Sequence, residues 1–540
     1  MNKKIILAAT LSLFCAAAFA QTEGFKLGQW VEIHNAVLKE LSRSYVDSLP
    51  IDRIERAGVD ALLDELDPYT VYVPEEENED FQMMINRSYG GIGAVIYKPD
   101  VDGNVIINEP YIGTPAQKSG IQCGDEILEI DGESVHGLNA TEASDKMKGK
   151  PGTTVNFLVK KVRTGEEVLI PVVRERIHLP DVEYYGMLND TDGYILQTGF
   201  SENVSQDVRN AVISLKEQGM QRLFLDLRGN GGGLMREAIS IVSLFVPKGS
   251  LVVTQKGRSL GENIEYRTQS EPIDTEMPIV VLVDGSSASA SEIVSGAIQD
   301  MDRGTIMGQR TFGKGLVQSV RPLPYNGSLK VTTARYYTPS GRCVQALDYS
   351  HRNEDGTVSH TPDSLANEFL AAHGRVVKDG GGITPDVELS SKEYGRIVFS
   401  LVYSGVTDRY VCMDFVHRHE SIADVEDFHL SDEDFDAFVE FAKEQTFDYR
   451  SSAKAYFDGL KKEIGEDGIS SPEVDEALSV IEAAVSADKE TMIRARKDEL
   501  VPFIEEEIVA RYQFLQASIK LRLRYDDQLR EALTKPLVEL

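Results

Sequence analysis

Cysteine is scarce in this 540-residue chain, which carries Cys15, Cys123, Cys343 and Cys412 and no CxxC pair. A zinc ribbon and a dithiol redox motif are thereby excluded, and the absence of HExxH removes the metal-binding histidine pair of the zinc peptidases. Positive charge is short as well. Lys and Arg total 56 against 87 Asp and Glu, a formal net charge of -31, which opposes binding to nucleic acid or to an anionic membrane surface. The one long apolar run near the start falls short of the roughly 20 residues that span a bilayer. No internal repeat is present. What is present is ample core material: 41% hydrophobic and 8% aromatic residues, in a length that at roughly 150 residues per domain predicts three or four domains.

Residues 1–20 combine Lys3 and Lys4, an apolar stretch from Ile5 to Ala17, and Ala18-Phe19-Ala20. That is the three-part pattern of a secretory signal peptide, with cleavage expected after Ala20 and the product in the periplasm or cell envelope. Loss of Lys3 and Lys4 takes the charge from -31 to -33. Three cysteines remain, enough for one disulfide whose pairing the sequence leaves open.

Residues 21–87 read as a helical region, with Trp30, Ile33, Val37, Leu38 and Leu41 at helical spacing and Pro50 separating a second run. Residues 88–176 change to short strand-like runs between Gly, Pro and Asp turns, a mainly β domain. From 177 to 390 strands alternate with helices, the signature of an α/β layer structure with parallel sheet. Residues 391–540 are acidic and helical. Their charge, around Asp432 to Asp436 and Glu505 to Glu507, reads as a solvated face.

Three segments carry chemistry. Gly285-Ser286-Ser287-Ala288-Ser289-Ala290-Ser291-Glu292 follows the apolar strand Ile279 to Val283 and opens a helix. A serine there sits where free N–H groups favour developing negative charge, although the same residues suit an ordinary helix cap. Leu227-Arg228-Gly229-Asn230-Gly231-Gly232-Gly233 forms a turn able to aim N–H groups at an anion, without the Gly-Lys-Ser/Thr ending of a P-loop. Lys314, flanked by glycines among Phe312, Leu316 and Val317, is a candidate base. That role needs a pKa of about 7 to 8 against roughly 10.4 in water, which desolvation favours; a solvated strand lysine is the alternative. Gln318 lies four residues on. The nine histidines accompany no Gly-x-Ser-x-Gly turn.

With Asp67-Pro68-Tyr69-Thr70, Tyr89-Gly90-Gly91-Ile92-Gly93, Gly124-Asp125-Glu126-Ile127, Thr311-Phe312-Gly313-Lys314-Gly315 and Tyr337-Thr338-Pro339-Ser340-Gly341-Arg342, these segments resemble the carboxyl-terminal processing peptidases, serine peptidases with an inserted PDZ domain. The resemblance runs from Leu62 to Val387. It implies a multidomain α/β protein: a ClpP/crotonase-like catalytic core, a mainly β PDZ domain, and helical N- and C-terminal regions. It implies as nucleophile the serine 25 residues before the lysine, Ser289, with Lys314 as general base, Gln318 orienting it, and the Gly233 and Ala290 N–H groups as oxyanion donors. No metal or organic cofactor is implied. Gly90, Gly91, Ile92 and Gly93 are expected to meet the terminal carboxylate of a protein or peptide substrate, with Ile92, Val95 and Met147 lining a side-chain pocket or packing in the core. The competing reading is an inactive PDZ adaptor on a peptidase scaffold. Apolar positions in both helical ends, among them Phe435, Phe438, Ile504 and Ile508, suggest a homodimer or packing on the chain's own core.

Overall fold

The run Ile279-Val280-Val281-Leu282-Val283 has no polar alternation because both of its faces are covered. In the computed structural model, which describes residues 3–538 apart from 79–80, 82, 84–86, 99–102, 259–260, 262, 354, 361, 391, 446, 448–451, 470 and 486–487, it is a central strand of a six-stranded sheet. The chain divides into two compact units, Met1–Tyr72 with Val320–Val331, and Val73–Ser319 with Thr332–Leu540. In the first, the helical periodicity becomes α1 (Lys3–Ser44) and α2 (Ile51–Asp64). Trp30 on α1 is 66% exposed. The Asp67 carboxylate closes the following turn, accepting from the Tyr69 and Thr70 N–H groups, both at 2.9 Å.

The second unit begins with the small β domain. Strands β1 (Ala94–Tyr97), β2 (Val105–Pro110), β3 (Glu126–Ile130), β4 (Thr154–Lys160) and β5 (Glu167–Val173) pair antiparallel in that order, with helix α3 (Ala140–Met147) between β3 and β4 in sequence. Alternation on β4 sends Val155, Phe157 and Val159 into a closed core. Among the described residues β1 pairs with β2 alone, which leaves one edge open beside α3.

The α/β layer follows: β6 (Val182–Met187), β7 (Asp192–Gln197), α4 (Val204–Glu217), β8 (Arg222–Asp226), α5 (Met235–Val242), β9 (Ile279–Val283), α6 (Ala290–Asp300), β10 (Thr305–Gly308) and β11 (Val387–Glu388). The strands lie in sequence order, β6 antiparallel to β7 and the rest parallel. Helices α4, α5 and α6 cover one face through Val208, Val212, Ile241, Ile293 and Val294. On the other face Tyr194, Phe224, Leu282 and Met307 meet Ile519, Leu529 and Ala532 of the C-terminal region, so the sheet is buried on both sides as parallel sheets are.

That C-terminal region decides between two readings for four residues and corrects one expectation. Phe435 and Phe438 on α7 (Asp432–Glu444) and Ile504 and Ile508 on α8 (Lys497–Tyr525) pack in the chain's own helical core. The acidic face is also only partly solvated. Asp432 stays exposed, but Glu505 is 1% exposed because it accepts from the Leu430 N–H at 2.7 Å and the Tyr525 hydroxyl at 2.6 Å.

A buried ion network fastens the tail to the sheet. The Arg228 guanidinium, just after β8, donates to Asp226 at 3.0 Å and to Asp526 at 2.6 Å, and the Tyr194 hydroxyl donates to Asp226 at 2.7 Å. Removing one partner of a largely desolvated pair leaves the other short of an acceptor. Asp526→Ala is therefore expected to lose about 2 kcal/mol, read as a lower urea midpoint at unchanged slope.

Candidate active site

β9 ends in an Asx turn, in which Asp284 Oδ1 accepts from the N–H groups of Ser286 (2.9 Å) and Ser287 (3.0 Å). The chain then enters α6 through Ser289, whose backbone lies at φ 55° and ψ -110°. A residue with a Cβ is strained there, and such strain persists only where neighbours over-determine it. They do so here. The Ser289 N–H donates to Glu292 Oε2 at 2.8 Å, and its carbonyl accepts from the Ile293 N–H at 2.9 Å and the Tyr336 hydroxyl at 3.1 Å.

The neighbouring serines have other work. Ser287 and Ser291 are fully buried; the first donates its hydroxyl to Leu227 O (2.7 Å) and the second to Asn230 O (2.8 Å). Those bonds lace the serine turn to the glycine turn, as does the Ala288 N–H on Asn230 O at 3.0 Å. Ser289 itself is half-buried.

The glycine turn closes on the same point. The Asn230 side chain donates to Gln197 O (2.8 Å) and accepts from the Gly232 N–H (2.9 Å). Gly232, at φ 98°, comes so close that a Cβ on it would stand 2.8 Å from Ser289 Cβ and 2.9 Å from Ala290 N, which requires glycine. Gly233 is bridged to Phe200. The Ala290 N–H, first in α6, has no intrahelical acceptor.

Lys314 is half-buried and is brought to the serine turn by a group the sequence reading missed as a functional residue. Glu292, 0% exposed, takes the Thr311 hydroxyl (2.6 Å) and Gly313 N–H (2.7 Å) on Oε1, and the Lys314 and Ser289 N–H groups (both 2.8 Å) on Oε2. One carboxylate oxygen thus joins the backbones of Ser289 and Lys314. Burial pushes the Glu292 carboxyl above its ordinary value against these four donors. The available signal was Glu three residues after Ser, which read only as capping. Gln318 donates to Thr332 Oγ1 at 3.2 Å.

The expected carboxylate-binding loop is divided. Gly90 and Gly91 lie in the strand Ser88–Gly91, paired with Arg176 and Glu175 outside the sheet of β1 to β5. Ile92 and Gly93 make the turn into β1, with the Gly93 carbonyl accepting from the Tyr111 N–H (3.0 Å) and Thr114 hydroxyl (2.8 Å). The Ile92 and Met147 side chains are in the domain core, whereas Val95 is half-buried.

Comparisons with known proteins match this layout segment by segment. Residues 192–349 match the model of peptidase family S41, residues 106–161 that of the PDZ domain, and residues 397–535 that of the C-terminal helical domain of a probable PDZ-protease. A carboxy-terminal-processing protease of Bartonella bacilliformis is 35% identical over 318 residues, 58% of this chain and 71% of the relative. A probable CtpA-like serine protease of Staphylococcus aureus is 33% identical over 310 residues, 57% of this chain and 61% of the relative. Among solved structures, the photosystem II D1 C-terminal processing protease is 27% identical, with 65% of this chain and 86% of that one covered at a TM-score of 0.36.

Proposed function

Because the chain belongs to peptidase family S41, with a PDZ domain and carboxy-terminal-processing proteases among its relatives, we propose that it is an exported serine endopeptidase that takes proteins by their free C-termini. The observation that carries the reading is the strained Ser289 backbone at the head of α6, tied through Glu292 to Lys314. A non-glycine residue held at positive φ between a parallel strand and a helix presents its side chain outward, here beside the Ala290 N–H and the glycine turn.

Neutral Lys314 accepts the Ser289 hydroxyl proton as the oxygen attacks the scissile carbonyl, and returns it to the leaving amine. The Gly233 and Ala290 N–H groups stabilise the oxyanion, each worth roughly 2.7 to 4 kcal/mol. Water then hydrolyses the acyl-enzyme. Gln318 orients Lys314. The open edge of β1 pairs with the substrate's backbone while the Gly90–Gly93 segment meets its terminal carboxylate. The Lys3, Lys4 and Ala18-Phe19-Ala20 pattern supports the reading of export to the periplasm or cell envelope.

A serine-directed phosphonylating probe is expected to label Ser289 in the wild type and to lose that label in Lys314→Ala. Amidation of a peptide substrate's C-terminus is expected to lower kcat/KM by about tenfold, the loss of one charge-assisted contact. Failure of Ser289 to take the label, with or without bound peptide, would favour the adaptor. Equal rates for acid and amide would remove C-terminal recognition from the reading.

A further inference from the structure

The PDZ domain and the C-terminal helical domain meet around a buried arginine that the proposed chemistry does not use. Arg511 of α8, 2% exposed at its side chain, reaches in four directions. It donates to Asn108 Oδ1 on β2 at 2.9 Å, to Glu507 Oε2 at 2.8 Å, to Cys412 Sγ at 3.1 Å, and to Asp408. Cys123, from the PDZ loop before β3, donates its thiol to the carbonyl of the same Asn108. The two sulfurs, 289 residues apart in sequence and from two different domains, meet at one node: Cys412 Sγ accepts from Arg511 Nε, and the same guanidinium holds Asn108, whose carbonyl takes the Cys123 thiol. Flanking contacts keep the faces in register: the Arg163 guanidinium on Glu420 O (2.8 Å) and the Leu515 N–H on Glu109 Oε1 (2.9 Å).

We propose that Cys123 and Cys412 form a disulfide that pins the PDZ domain onto the C-terminal helical domain. Arg511 and Asn108 hold both sulfurs where the two domains meet, so the two side chains face one another across the boundary. The two sulfurs are unequal. The neighbouring Cys123 side chain and the Arg511 charge, working against burial, bring the Cys412 thiol down to about 7, while the neighbouring Cys412 sulfur and burial push Cys123 up. Cys412 is thus partly ionised near neutral pH and suits the resolving step.

The oxidant is a disulfide-bearing compound. Half-buried Cys123 attacks one sulfur of the oxidant's S–S bond, its proton leaving with the first thiol released, and a mixed disulfide forms. The Cys412 thiolate then attacks the Cys123 sulfur, making the Cys123–Cys412 bond and expelling the oxidant's second half as a thiolate. Two protein thiols are oxidised and one external disulfide is reduced. The third cysteine of the mature chain, Cys343, shares no contact with this pair among the described residues and keeps its own surroundings at Gln345.

The test uses the full chain incubated with oxidised glutathione, denatured, alkylated and digested without reductant. The expected product is a Cys123–Cys412 linked peptide pair about 2 Da lighter than the two thiol peptides together, abolished by dithiothreitol and by Cys412→Ser. Amide hydrogen exchange in β2 and the loop before β3 is expected to slow about fivefold in the oxidised form, and not in oxidant-treated Cys412→Ser. Recovery of Cys123 and Cys412 in separate peptides, free or glutathionylated, overturns the proposal, as does a dominant linkage through Cys343. Equal slowing of exchange in Cys412→Ser would overturn the pinning even if the bond forms.

Discussion

Replacing Ser289 with alanine is expected to lower kcat on a peptide with a free C-terminus by about 10⁴- to 10⁶-fold, with KM changed by no more than about twofold. The attacking oxygen is removed, while the donors that bind the oxyanion and the open edge of β1 that binds the substrate remain. Lys314→Ala is expected to cost a similar amount, and the double variant no more than either single one, because a nucleophile and its base act as one unit. Stability supplies a separate reading of the same residue. Alanine keeps the Cβ and hence the strain at φ 55°, whereas Ser289→Gly relieves it, so Ser289→Gly is expected to be about 1 to 2 kcal/mol more stable than Ser289→Ala in urea. A gain in stability at the price of all activity identifies a conformation maintained for chemistry. Equal urea midpoints for the two variants would show that the backbone there is unstrained, and would remove the main structural support for Ser289 as nucleophile.

The architecture was legible where local pattern and burial agree. The uninterrupted apolar run of β9 and the alternation of β4 each state how many of their faces are covered. The local pattern made the serine turn legible as a helix start, whereas Ser289 was singled out only by the family resemblance, since Ser287, Ser289 and Ser291 are equivalent in a string of small residues. What separates them is that two hydroxyls are consumed by Leu227 O and Asn230 O, bonds that span 60 and 61 residues. The tail was misjudged for a related reason. Charge counts describe a surface, yet Glu505 and Asp434 are inside because their partners, Tyr525 for one and Arg418 and His419 for the other, arrive from distant turns. A carboxylate's fate depends on donors that no local window contains.

Glu292 shows the same point at the site itself and carries the second large effect. In Glu292→Gln the side chain keeps one acceptor oxygen and gains an amide nitrogen that donates, so two of the four donors now face a donor. If the oxygen stays with Thr311 and Gly313, the Ser289 and Lys314 N–H groups lose their shared acceptor, and the distance between nucleophile and base is no longer fixed. A misplacement of about 1 Å costs roughly 10²-fold, so kcat is expected to fall about 10²- to 10³-fold with KM little changed. The unpaired buried donors add a stability loss of about 3 kcal/mol. The pH dependence gives a sign that a merely structural residue would not. Burial raises the Glu292 carboxyl above its ordinary value in the folded chain. The folded state therefore holds more protons than the unfolded one between the ordinary and the raised value, and this group's contribution to stability falls as pH rises through that window. Activity runs the other way, because a protonated Glu292 cannot accept from all four donors. Below the acid limb set by protonation of Lys314, the wild type is expected to lose kcat along a second limb centred above the usual carboxylate range, and Glu292→Gln to keep the first limb and lack the second. A second limb that is unchanged in Glu292→Gln would assign it to another group and leave Glu292 as a cap alone.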